Sequence, residues 1–157
     1  MPTPHGQTNA DFEDMLRALA KHRARYLIVG GVAVCYHTKP RYTRDLDLWV
    51  DPTHANVERV NRALAEFGSP NLIDPGILDQ ILQIGVDPNR IDVLLSIPGV
   101  RYVTAWRKRV RGYYGDAHAN YMDIDSLIRN KSRLDAPRHQ EDVRLLKQEK
   151  RRRQREG

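Results

Sequence analysis

A chain of 157 residues is long enough to bury one core and too short for a second globular unit. Its longest apolar run, Leu27 to Val34, falls far short of the roughly 20 residues a membrane helix needs, and its single cysteine, Cys35, excludes an internal disulfide. The net charge of +6 invites a nucleic-acid partner, but residues 147–157 hold six Lys/Arg and two Glu, so +4 of it lies in the last eleven residues and the body carries only +2.

Residues 1–10 are polar, with neither the charged start nor the apolar stretch of a signal peptide, and are expected to form a loose lead-in. With the lone cysteine this points to a cytoplasmic protein without a membrane partner. From Asp11 the spacing of Phe12, Met15, Leu16, Leu19 and Ala20 predicts an amphipathic helix to about His22. Tyr26 to Val29 reads as a short strand, and Gly31 to Tyr36 or His37 as a small apolar helix. The loop Lys39-Pro40-Arg41-Tyr42 then leads to a strand over Asp45–Val50, which Asp51-Pro52 ends.

Ala55 to Phe67 has apolar positions at helical spacing and stops at Gly68. Residues 69–85 contain Pro70, Pro75 and Gly76, and Gln80 to Gly85 is expected to pair with the strand that follows. That strand, Arg90 to Ile97, is apolar but for Arg90, Asp92 and Ser96. Tyr102 to Gly115 interleaves Trp106, Tyr113 and Tyr114 with Arg107, Lys108, Arg109 and Arg111, a pattern suited to stacking on bases or to an amphipathic edge packed on the sheet. Ala119–Met122 is a last short strand, Asp125 a candidate helix cap, and Arg138 to about Lys150 a helix in which Arg138 and Asp142 are spaced as an i, i+4 pair. The end, 147–157, reads as a solvated basic tail after a domain spanning 11–146.

The chemistry concentrates at Val29-Gly30-Gly31 and Asp45-Leu46-Asp47-Leu48. Alternation in a strand puts Asp45 and Asp47 on one face and Leu46, Leu48 and Val50 on the other. Two carboxylates about 4 Å apart repel by roughly 4 kcal/mol at an effective dielectric near 20, and a divalent cation removes that cost. An oxygen-only donor set suits Mg²⁺ or Mn²⁺ completed by substrate phosphates. The glycines let backbone approach a ligand and open a helix whose free N–H groups favour anions. Asp92, in the apolar strand, needs a partner, a metal or a solvated strand entrance. The six histidines show no zinc spacing, and His37 reads as structural or as a partner at the loop.

The stretch Ile28-Val-Gly-Gly-Val-Ala-Val, His37, Arg41-Tyr-Thr43-Arg-Asp45-Leu-Asp47-Leu resembles the core motif of the nucleotidyltransferase superfamily of the DNA polymerase beta type. It is most similar to the toxin-related, abortive-infection and uncharacterised bacterial branch, although Thr38 stands where that branch often has Gly. The resemblance implies a small mixed α/β domain, a short twisted sheet flanked by helices with a C-terminal helical extension. It implies Asp45, Asp47 and Asp92 as metal-binding and catalytic residues. Gly30, Gly31, Arg41, Thr43, Arg44 and Lys131 would meet the nucleotide. The implied reaction is NMP transfer from an NTP, with Mg²⁺ or Mn²⁺, to an RNA end such as a tRNA 3′ terminus, in a toxin with an antitoxin protein as partner. A small-molecule or protein acceptor, or an inactive domain that binds RNA or a partner protein, are the alternatives.

Overall fold

The computed structural model of the protein describes residues 8–41, 43 and 45–157. Among them the order is α1 (Ala10–Lys21), β1 (Tyr26–Val29), α2 (Gly30–His37), β2 (Asp45–Val50), α3 (His54–Phe67), β3 (Ile81–Ile84), β4 (Arg90–Leu94), α4 (Tyr102–Arg107), β5 (Val110–Tyr114), β6 (Ala117–Tyr121), α5 (Ile124–Ser132) and α6 (Pro137–Glu156). The strands form one mixed sheet in the order β3-β4-β2-β1-β6-β5. Its centre, β4-β2-β1-β6, joins a parallel, an antiparallel and a parallel pair, and antiparallel hairpins β3/β4 and β5/β6 close the edges. None of the described helices is long and apolar enough to cross a membrane.

Period-2 and period-3.6 patterning account for the core. Leu46, Leu48 and Val50 on one face of β2 are fully buried, as are Met15 and Leu16 of α1 and Val57, Val60 and Leu64 of α3. Helices α1 and α3 pack together. Gly68 ends α3 with φ +98°, a left-handed conformation that costs glycine nothing.

Of four expectations three shift, and for the basic-aromatic stretch one of its two readings holds. The lead-in ends earlier than residue 10: Asn9 caps α1, accepting from the Asp11 and Phe12 backbone N–H groups, while its own N–H donates to the Tyr114 hydroxyl at 2.9 Å. The cap of α5 is Asp123, not Asp125, because the buried stripe already begins at Ile124; Asp123 accepts from the Ser126 N–H at 3.1 Å. Asp125 pairs with Lys150 at 2.7 Å instead. The basic-aromatic stretch forms α4 and β5 as a packed edge: Trp49 meets Tyr102 edge-on, Tyr102 stacks on Trp106, and the Arg109 guanidinium sits 3.9 Å over the Trp106 ring.

The fourth concerns the C-terminus. Residues 147–156 continue α6, where Glu149 pairs with Arg152 and Arg153 and Glu156 pairs with Arg152. Such exposed pairs each contribute only a few tenths of a kcal/mol, but Arg153 also donates to the His37 carbonyl at 3.3 Å, at the end of α2. His37 is itself buried, its Nε2 bonded to the Met122 carbonyl at 2.8 Å. Deleting 147–157 should therefore destabilise the fold by about 1 kcal/mol and lower the thermal midpoint by about 3 °C, read by circular dichroism. Arg155→Ala, which removes a cation without a described partner, should leave it unchanged.

Candidate active site

Strand register assembles the acidic cluster. In the parallel β2/β4 ladder Asp47 lies beside Asp92 and Asp45 beside Arg90, so alternation places all four side chains on one face. One carboxylate oxygen from each of Asp45, Asp47 and Asp92 falls within 4.8 Å of the others. Opposite Asp47 on the other neighbouring strand is Val29, whose successor Gly30 opens α2. Gly30 has φ +67°, and a Cβ there would stand 2.2 Å from Asp47 Oδ2. Only glycine fits, since any side chain would occupy the space of the carboxylate.

A second cluster lines the same cavity, of about 350 Å³, as the first. Gly31, Arg41, Thr43, Asp45, Asp47 and Lys131 all line it, joined by Asp87, Arg90, Arg138, His139 and Asp142. Arg41 comes from the loop before β2, Lys131 from α5, and Asp142 from α6. Asp142 is 2% exposed and holds both cations: Arg41 Nη1 donates to its Oδ1 at 2.9 Å, and Lys131 Nζ lies 3.1 Å from its Oδ2. Lys131 Nζ also donates to His139 Nδ1 at 3.2 Å. The i, i+4 pair of Arg138 with Asp142 does not form among the described residues. Asp142 turns inward in the stripe that carries Leu146, toward the two cations, rather than outward along the helix surface.

Six of the sequence-derived residues thus line one cavity, and Gly30 and Asp92 lie next to Asp47. Arg44 lies outside the described residues. Arg90, Asp142 and His139 are additions. Arg90 had a signal, its i, i+2 spacing from Asp92, and Asp142 another, an acid one turn before a buried leucine. Nothing in the spacing of His139 marks it.

The electrostatics follow the geometry. Burial, and then the neighbouring Asp45 and Asp92, raise the Asp47 pKa from 3.8 to about 7. Burial likewise raises Asp92, against the pull of Arg90. Asp142 goes the other way: burial alone would raise it, yet hydrogen bonds from Arg41 and Lys131 hold it below the usual carboxylate range. Burial, and then Lys131 and Arg138, lower the His139 pKa from its usual value.

The acidic set fits a divalent metal ion. Its donors are hard oxygens, they converge, and Asp92 Oδ1 is buried without an aligned hydrogen bond. Asp45, Asp47 and Asp92 would hold such an ion.

A raised carboxyl binds a proton in the native state that the unfolded chain has lost. In metal-free protein, stability should fall as pH rises from about 4 to about 7, by an amount on the order of 4 kcal/mol at most. Asp47→Asn should remove most of that slope and stabilise the metal-free protein at pH 8, as urea unfolding across that range would show.

No protein-family model matches the chain, and no curated protein sequence matches it. Among solved structures it is similar to ANT(2″)-Ia in complex with adenylyl-2″-tobramycin, with a TM-score of 0.56 at 15% identity over 86% of this chain and 84% of that one. At that identity the likeness is one of fold. The six-stranded mixed sheet with its flanking helices is the fold the two chains have in common.

Proposed function

We propose that the protein is a metal-dependent nucleotidyltransferase that moves a nucleoside monophosphate from an NTP to a hydroxyl acceptor, releasing pyrophosphate. The observation that carries this reading is a single cavity lined both by convergent carboxylates and by two cations that the buried Asp142 holds. Mg²⁺ or Mn²⁺, when bound, supplies Lewis-acid stabilisation of the attacking and leaving oxygens.

The rest is work for this chain's own residues. Asp45 and Asp47 hold the metal, and the Gly30-Gly31 backbone leaves room for phosphate. Lys131, Arg41, Thr43 and Arg44 bind the nucleotide, and the two cations that Asp142 orients offset the charge of the departing pyrophosphate. Asp92 completes the acidic set and takes the acceptor hydroxyl's proton, a role its raised pKa suits. The acceptor oxygen bonds to the α-phosphorus while the bond from that phosphorus to the bridging oxygen breaks.

Two observations favour a small hydroxylated acceptor. The similar structure contains an adenylyl group on tobramycin. Some of the features that suggested nucleic acid are engaged within the fold: Arg109 covers Trp106, and Arg152 and Arg153 near the end of α6 pair with glutamates of the same helix. The RNA-end reading, with its toxin role and antitoxin partner, draws support from the net charge of +6.

The test supplies each NTP, labelled at the α-phosphate, with Mg²⁺ or Mn²⁺ to hydroxylated small molecules, total RNA and cell protein. Label should enter a small molecule with wild type and not with the double variant Asp45→Ala/Asp47→Ala. Label in RNA would transfer the reading to the RNA end, and label in protein to a protein acceptor. No transfer together with no NTP binding would overturn the enzyme.

A further inference from the structure

Arg90 puts a fixed positive charge where a metal ion would sit. It precedes Asp92 by two residues on β4 and stands beside Asp45 in the ladder, so its side chain leaves the strand on the face of the three carboxylates. Nη2 donates to Asp45 Oδ2 at 2.8 Å, Nε lies 3.1 Å from Asp92 Oδ1, and Nη1 lies 4.0 Å from Asp87 Oδ1. One guanidinium therefore spans two of the three carboxylates. No ion pair within 4.0 Å links it to Asp47 among the described residues.

The two contacts are unequal. The bond to Asp45 is short, whereas the approach to Asp92 lacks hydrogen-bond alignment, leaving both Arg90 Nε and Asp92 Oδ1 buried without a hydrogen-bond partner. Asp92 is 7% exposed, so water cannot easily complete it. Arg90 balances the charge at Asp92 without satisfying its oxygen. A guanidinium stays charged at every physiological pH and cannot leave by losing a proton. It can leave only by moving, and Asp87, on the turn before β4, offers it a carboxylate at the cavity mouth.

We propose that Arg90 is a displaceable counter-cation. It holds Asp45 and Asp92 in metal-free protein, yields them to the entering metal, and moves onto Asp87, so that it sets how tightly the site binds metal. The inference rests on the metal-binding role of Asp45, Asp47 and Asp92 given above.

Calorimetric titration of the full chain with Mn²⁺ tests it, using wild type, Arg90→Gln, Arg90→Lys and Asp47→Asn, with thermal melts to establish that each is folded. Arg90→Gln should bind Mn²⁺ about tenfold more tightly than wild type, the equivalent of one charge-assisted hydrogen bond no longer opposing the ion. Arg90→Lys keeps the charge but cannot span both carboxylates, and should show part of that gain; it carries the test alone if the glutamine variant does not fold. Equal or weaker binding by the position 90 variants, with binding still lost in Asp47→Asn, overturns the counter-cation role and leaves the metal site standing. Absence of any Asp47-dependent Mn²⁺ binding, in wild type and variants alike, overturns the metal site itself and the displacement with it.

Discussion

Everything at the site depends on three carboxylates sharing one face of two adjacent parallel strands. Register alone places Asp47 beside Asp92, and alternation adds Asp45. Such a cluster is unfavourable in isolation, because each charge raises the cost of the next. The protein meets that cost in two ways: Arg90 spans Asp45 and Asp92, and Asp47, left without an ion pair, keeps its proton up to about pH 7.

The cationic part of the lining meets the mirror-image problem. Arg41 and Lys131 would repel each other and drift toward solvent, but the buried Asp142 holds both at fixed positions. A carboxylate in that place costs desolvation, which its two cations offset. Three elements distant in sequence, the loop before β2, α5 and α6, thereby meet on one side chain. Because α6 also reaches the end of α2 through Arg153, the C-terminal helix supports the cationic lining directly and the glycine-opened helix from its far end.

Residues whose placement follows from local spacing were readable from the chain. Asp45 and Asp47 on one strand face, Gly30 and Gly31 at a strand-to-helix turn, and the strand carrying Asp92 all derive from periodicities of two and 3.6. Arg41 and Lys131 were indicated by family resemblance, and the fold places them together. From helix spacing Asp142 was visible as a partner for Arg138, because spacing alone cannot report that an inward-facing acid will meet cations from other elements. The basic C-terminus looked like a tail because charge composition alone does not reveal that Glu149 sits where it pairs with Arg152 and Arg153. Position in the buried stripe, rather than residue type, decided both cases.

The central claim is that the two clusters act as one site, joined by a metal and a triphosphate. It is tested most directly by titrating the protein with a nucleotide analogue that cannot be cleaved at the α-phosphate, with and without Mn²⁺, in wild type and in Asp47→Asn. Binding should require the metal and be lost in Asp47→Asn, although Asp47 is itself an anion and holds no phosphate directly. Binding of equal strength without metal, or unaffected by Asp47→Asn, would contradict it.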